Sequence, residues 1–363
     1  MTKVFFIINC FSKGGGAEAL LASILHGLNP NKYELGVMEI IHDTIKQEAI
    51  PAYVKVYPYY TLADAPDRKI RMYSVYHEWN KVIEKYIPQD YDIYISFNYL
   101  KPSFLLPEGK KNIAWIHGDI YNLLDDNMLE EKQLQDIAFE KVNKIVVISD
   151  NTEKSVLDLY PRHKNKIVKL YNCINARKIL KESNCKSDIR LDDNSIIFLG
   201  RLDENKNPVR AIEIFKEVIQ RKADAKLYYI GYGVLKEKVE LLAKTYKIED
   251  SVFFLGYQQN PYPIVKQAKV MLMVSKSEGY SLAVSEAICL GVPVVSTRVG
   301  AADRQIFCDE CGKVIDNNEE AVDAICGYME REISIDKKKH MYSTEKKEFE
   351  EYILAIEHLI DTI

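Results

Sequence analysis

The sequence predicts an α/β protein built as two doubly wound, Rossmann-like domains facing a central cleft. Three observations predict it. Short apolar runs alternate with stretches of helical period along almost the whole chain, the pattern of parallel strands joined by crossover helices. The 363 residues are more than one such domain needs and enough for two full cores. Polar and glycine-rich clusters fall just after the apolar runs, at the carboxyl ends of the expected strands, where open α/β sheets take their ligands.

In the first half, residues 4–8 read as a buried strand. Ser12-Lys13-Gly14-Gly15-Gly16 is a glycine-rich turn opening onto a helix over 17–27. Residues 33–41 read as a strand, 67–86 as a long amphipathic helix, and 92–97 and 112–116 as strands, the latter ending at His117-Gly118-Asp119. A helix over 128–142, a strand over 144–149, a helix over 151–160 capped by Asn151 or Asp150, and a strand over 167–171 complete this half. The charged stretch 175–194 has no clean period and reads as a linker, which sets the domains at 1–175 and 190–344.

The second half repeats the alternation. Strands are expected at 195–199, 226–230, 252–255, 270–274 and 292–296. Helices are expected at 208–220, 235–246, 263–268, from near Ser281 to Leu290, at 319–330 and at 345–363. The charged run 336–340 reads as a solvated connection.

Composition narrows the function. Hydrophobic content is 47% and charged content 28%, that of an ordinary globular protein, and a net charge of −4 leaves no nucleic-acid footprint. Divided near residue 180, the first part carries 23 basic and 22 acidic residues and the rest 26 and 31, so the N-terminal half is the better one to face an anionic surface. No apolar run reaches the ~18 residues of a membrane span, and the N-terminal run is too short for a signal peptide. Seven scattered cysteines, an odd count, fit a reducing cytoplasm.

The most informative stretch follows the strand at 270–274. Glu278 lies in a loop and Glu286 on the helix after it, separated by roughly 12 Å at helical rise. Two carboxylates so far apart cannot share one proton or one metal ion, but they can grip two parts of an elongated ligand. Between them the N–H groups of Tyr280, Ser281 and Leu282 lie at a helix N-terminus, which favours an anion. Hydroxyl acceptors at both ends and an anion site between them describe a nucleoside diphosphate-sugar. Arg201 and Lys206, leaving the first strand of the second domain after Gly200, supply a planar fork and a compact charge for its phosphates.

These residues resemble a known family. Glu278-x7-Glu286 followed by Ala287-Ile288-Cys289-Leu290-Gly291-Val292-Pro293 is similar to the signature of retaining glycosyltransferases of family 4, which have the GT-B fold. Gly200-Arg201-Leu202 with Lys206, Gly231-Tyr232-Gly233, Phe254-Leu255-Gly256-Tyr257 and Gly15-Gly16-Ala17-Glu18 match in the same order. The resemblance implies that Arg201 and Lys206 neutralise the leaving β-phosphate without a metal or other cofactor. It implies that Glu286 accepts the ribose hydroxyls, that Glu278 bonds the 3-OH of the donor sugar, and that His117 faces that sugar. Tyr257 would mark the nucleobase. The backbone at Gly15, Gly16, Gly279, Tyr280, Ser281 and Leu282 would approach the donor, with Gly14 and Asp119 on the acceptor side. The family has a second glycine where this chain has Ser281, which either caps the helix or restricts the approach of the phosphates. The terminal helix 345–363 resembles the one that crosses back to the first domain.

The implied activity is transfer of a sugar, with retention, from a nucleoside diphosphate-sugar, by family habit a UDP-sugar, to a glycan or lipid-linked acceptor in cell-surface polysaccharide synthesis. The expected setting is cytoplasmic, with room for peripheral contact between the N-terminal domain and the inner face of the membrane. A nucleotide-sugar epimerase of the same fold and a non-catalytic binding subunit are the alternatives. Two other patterns read as structural. Asp90-Tyr91-Asp92 has the spacing of a metal pair but precedes a strand, and Cys308-x2-Cys311 lacks the second pair a structural zinc needs.

Overall fold

A computed structural model describes residues 1–12, 15–42, 50–57, 77–98, 100–122, 128–331 and 335–363. The chain divides into two compact units, Met1–Cys173 with Glu350–Ile363, and Ile174–Phe349. Each is a parallel sheet covered by helices.

The first unit holds β1 (Thr2–Ile8), α1 (Gly16–Gly27), β2 (Tyr33–Glu39), β3 (Lys55–Val56), α2 (Trp79–Tyr86), β4 (Ile93–Phe97), β5 (Lys111–Ile116), α3 (Met128–Glu140), β6 (Lys144–Val147), α4 (Asp150–Leu159) and β7 (Ile167–Lys169). Its sheet runs β3-β2-β1-β4-β5-β6-β7, so the order reverses between β1 and β4, where Val4 pairs with Ile93 and Ile8 with Phe97. The central strands are apolar on both faces because helices cover both; Phe5, Phe6, Ile7 and Ile8 are all fully buried. Half of the helix expected over 67–86 lies outside the described residues, and α2 is its described end. Ser149, not Asn151 or Asp150, caps α4: its hydroxyl accepts from the Thr152 N–H at 3.1 Å, one position earlier than the residues expected.

The second unit begins with α5 (Ala176–Glu182), capped by the Asn175 side chain. The stretch expected as a linker is therefore partly helical. Ala176 and Ile179 are buried, so packing supplies an order that the charged sequence does not announce. There follow β8 (Ser195–Leu199), α6 (Pro208–Arg221), β9 (Lys226–Ile230), α7 (Lys236–Thr245), β10 (Val252–Gly256), α8 (Tyr262–Val265), β11 (Val270–Met273), α9 (Leu282–Cys289), β12 (Val294–Thr297), α10 (Ala302–Gln305), β13 (Gly312–Ile315) and α11 (Asn318–Glu330). The sheet order β10-β9-β8-β11-β12-β13 reverses between β8 and β11. Those strands pair through Ile196 with Val270 and Ile197 with Met271.

The last helix, α12 (Ile335–Thr362), includes the lysine run expected as a connection. Its end belongs to the first unit. Tyr352, Ile353, Ile356, Leu359 and Ile360 form a buried stripe at helical spacing. Around it, Asp361 accepts from the Tyr33 hydroxyl at 2.9 Å and pairs with Lys32 at 2.5 Å.

Candidate functional site

In an open parallel sheet the loops on either side of the order reversal part to opposite faces and leave a crevice at the strands' carboxyl ends. In the second unit the loops leaving β8 and β11 meet at that point. Asn205 ties them: its side-chain N–H donates to the Ser277 carbonyl at 3.0 Å, and its own carbonyl accepts from the Lys276 N–H at 2.7 Å. Held in this way, Lys206 Nζ lies 2.5 Å from Glu278 Oε1, with side chains only 20% and 12% exposed. A screened surface pair would hold neither group in place, whereas this pair is largely removed from water and fixes both.

Asp203 organises the two cations. One of its oxygens accepts from Arg201 Nε at 2.7 Å and the other from the Lys206 backbone N–H at 2.9 Å. The Arg201 side chain is about half exposed. Gly200 and Gly231 underlie this loop; both have positive φ, 152° and 141°, and a Cβ on Gly231 would lie 1.9 Å from the Gly200 carbonyl oxygen. The Glu278 loop is braced from β12. Gly300, at φ 57°, lets the backbone pass where a Cβ would come within 2.6 Å of the Glu278 and Gly279 carbonyl oxygens. Gln305 Nε2 donates to the Ser281 carbonyl at 2.7 Å and to the Ser285 hydroxyl at 2.9 Å.

These braces lead to the N-terminus of α9. Ser281 occupies the capping position but its hydroxyl makes no capping bond; that oxygen is buried without a hydrogen-bond partner. Of the two alternatives for Ser281, the cap is not formed; the loop is anchored through the Ser281 carbonyl instead. Gly279 and Leu282 are buried beside it and Tyr280 is half-buried. Further along α9, Glu286 Oε1 accepts from the Tyr262 hydroxyl at 3.1 Å. Tyr257, 37% exposed after the positive-φ Gly256, stands edge-on to Tyr232 with ring centres 6.1 Å apart.

In the first unit, Gly15 and Gly16 lead into α1, and Gly14 lies outside the described residues. Glu18 accepts from Asn98 Nδ2 at 3.4 Å, and Asn98 adopts a left-handed φ of 63° at the end of β4. The buried Glu39, at the end of β2, takes the Phe11 N–H at 2.8 Å and the Ser12 N–H and hydroxyl at 2.9 Å. It therefore fixes the chain just before the glycine turn. Asp119 accepts from the Tyr121 N–H at 3.0 Å, the bond of a turn-capping aspartate.

His117 follows β5 and packs against Phe97, with ring centres 4.4 Å apart, and more loosely against Trp115. Its Nε2 is buried and has no hydrogen-bond partner. Burial pulls its pKa from the ordinary 6.5 down to about 3, so the ring is neutral near pH 7. The sign of the consequence is fixed: the unfolded chain binds this proton between pH 6.5 and about 3 and the folded chain does not. Stability is fully present above pH 6.5 and falls below it at about 1.4 kcal/mol per pH unit. Between pH 6.5 and 5 the wild type should lose about 2 kcal/mol more than His117→Gln, measured by urea unfolding at each pH. Equal losses would show that burial does not keep the ring neutral.

The other patterns keep their structural roles. Asp92 accepts from the Lys3 N–H at 2.9 Å and Asp90 pairs with Lys3 Nζ at 3.2 Å. Cys308 and Cys311 are free thiols in contact at 2.7 Å. Among the described residues no three His, Cys, Asp or Glu side chains gather as a metal site. No helix among them is long and apolar enough to cross a membrane. Asp203, Asn205, Gly300, Gln305 and Glu39 escaped sequence reasoning because they hold other residues of the site and belong to no ligand motif. The one local signal was Asp203, an acceptor two residues after Arg201 and three before Lys206.

Comparison with known proteins bears on the second half of the chain and on the fold. The family model described as glycosyl transferases group 1 matches residues 181–349. An uncharacterised glycosyltransferase of Methanocaldococcus jannaschii is 30% identical over 218 residues, 58% of this chain and 54% of that protein. The N-acetylgalactosamine-N,N'-diacetylbacillosaminyl-diphospho-undecaprenol 4-alpha-N-acetylgalactosaminyltransferase of Campylobacter jejuni is 29% identical over 184 residues, 51% and 49% of the two chains. The chain thus spans about half the length of the curated relatives it matches. Among solved structures, Anabaena Alr3699/HepE in complex with UDP and glucose superposes with a TM-score of 0.70 at 14% identity, covering 100% of both chains. The lipopolysaccharide outer core galactosyltransferase WaaB superposes with a TM-score of 0.66 at 16% identity, covering 99% of both. Residues 181–349 therefore match a glycosyl transferases group 1 domain, and the fold is that of GT-B glycosyltransferases.

Proposed function

We propose that the protein is a retaining glycosyltransferase that moves a sugar from a UDP-sugar to a glycan or lipid-linked acceptor in the synthesis of a cell-surface polysaccharide. The observation that carries this reading is the contact of Lys206 with Glu278 at the order reversal of the second sheet. A cation suited to phosphate and a carboxylate suited to a sugar hydroxyl are held together beside the N-terminus of α9, as a diphosphate joined to a sugar requires. The names of several relatives support the acceptor class: one acts on a diphospho-undecaprenol glycan and others serve O-antigen biosynthesis.

In this reading Arg201 and Lys206 take up charge on the leaving β-phosphate, with Asp203 setting their positions. Glu278 bonds the donor sugar, Glu286 the ribose, and Tyr257 lies by the base. The sugar's transition state carries positive charge at the anomeric carbon. A neutral His117 suits the sugar-facing role that the resemblance implies, since it would not oppose that charge. The leaving phosphate takes the acceptor proton on the same face, and the reaction proceeds without metal in the cytoplasm or at its membrane face.

The test is incubation of the full chain with single UDP-sugars, with and without lipid-linked glycan fractions, reading UDP release and product anomeric configuration. Acceptor-dependent UDP release with retained configuration is expected. Inversion would overturn the retaining assignment. Isomerised sugar formed without acceptor would overturn transfer itself.

A further inference from the structure

We propose that Tyr262 is the positioning residue that lets Glu286 recognise the ribose of the donor nucleotide; this rests on the reading of Glu286 given above. A ribose offers two neighbouring hydroxyls, and a carboxylate can accept both only if its plane is fixed. A glutamate on a helix has three side-chain torsions and does not fix that plane by itself. Here the Tyr262 hydroxyl donates to Glu286 Oε1 at 3.1 Å, from the separate short helix α8, and both side chains are half-buried. A phenol that donates to one carboxylate oxygen anchors the group at a second point.

The surroundings hold that phenol in turn. The backbone N–H of Tyr262 donates to Asn260 Oδ1 at 3.2 Å, and Asn260 Nδ2 donates to the Glu182 carbonyl at 2.9 Å, linking α8 to the end of α5. Pro261 and Pro263 flank Tyr262 and restrict its backbone. Two helices of the second unit, α8 and α9, thus meet at one carboxylate, and Asn260 ties α8 to α5. The same segment begins five residues after Tyr257, so the side proposed for the base and the clamp on the ribose carboxylate lie on one short stretch of chain.

The readout is the ratio of affinities for a nucleoside diphosphate and its 2′-deoxy counterpart, which a merely structural role would leave unmoved. Binding of UDP and dUDP, with GDP and ADP pairs alongside, is measured by calorimetry on the full chain as wild type, Tyr262→Phe, Glu286→Gln and the double variant. Tyr262→Phe keeps the ring and removes only the hydroxyl. The tightest-bound diphosphate should weaken about tenfold in Tyr262→Phe while its deoxy form changes little, so the ratio collapses toward that of Glu286→Gln. Adding Tyr262→Phe to Glu286→Gln should then have no further effect. If Glu286→Gln loses the ratio and Tyr262→Phe retains it, the role of Tyr262 is overturned and the ribose reading stands. If Glu286→Gln also retains it, or if no diphosphate binds, the ribose reading falls and the role of Tyr262 with it.

Discussion

Lys206→Ala is expected to lower turnover by about 10²–10³-fold, the usual cost of removing one preorganised group that meets developing charge. The fold should change much less. Removing Lys206 deprives Glu278 of its 2.5 Å partner, but at 12% exposure the carboxylate is largely and not wholly removed from water. About 1–2 kcal/mol of stability should be lost, below the cost of orphaning a fully buried ion. Lys206→Arg keeps the charge but replaces a compact ammonium with a planar fork on a stiffer geometry, and should recover only part of the activity. The check is kcat with the UDP-sugar found to be the donor, beside urea unfolding of the same samples. Unchanged turnover with an intact fold would remove Lys206 from phosphate chemistry. A loss of activity matched by a loss of folded protein would make it structural.

How much of this was legible in the sequence depends on the distance over which each feature is decided. Strands buried on both faces are decided locally, since four or five consecutive apolar residues such as 195–199 and 270–274 have no other stable place in a chain this polar. Glu278 and Glu286 were visible because one short loop-to-helix segment carries both. The contact between Lys206 and Glu278 was not, because the residues are 72 positions apart and meet only through the pairing of β8 with β11. Asn205, Gly300 and Gln305 were hidden for the same reason: each braces a loop that comes from a different crossover. The helix α5 was missed because its sequence, Ala-Arg-Lys-Ile-Leu-Lys-Glu, is too short to be stable alone and owes its order to burial of Ala176 and Ile179. Ser281 shows the converse. Its residue type allowed a cap, but tertiary bonding from Gln305 to its carbonyl decided the local geometry.

The same long-range logic gives Gly231→Ala a large expected effect on the fold. Two costs act together. Gly231 has φ 141°, a conformation that a side chain rarely adopts, and an added Cβ would sit 1.9 Å from the Gly200 carbonyl oxygen. That neighbour is backbone, so no rotamer change relieves the clash and β8 and β9 must separate by about an ångström at their carboxyl ends in a close-packed interior. The Gly200 N–H bond to the Ile230 carbonyl at 3.0 Å and the Gly231 N–H bond to the Gly256 carbonyl at 2.8 Å would both be strained. A loss of about 3–5 kcal/mol is expected, read as a lower urea midpoint with an unchanged slope. Gly256 is a fitting control: it too has positive φ, 68°, but nothing lies within 4 Å of a Cβ there, so Gly256→Ala should cost only the backbone strain, about 1–2 kcal/mol. Since the Gly200 carbonyl leads directly into Arg201, the Gly231→Ala protein that remains folded should also bind nucleoside diphosphate more weakly, whereas Gly256→Ala should spare Arg201. Equal stability losses in the two variants would mean that the contact between Gly231 and Gly200 does not shape the loop that carries Arg201 and Lys206.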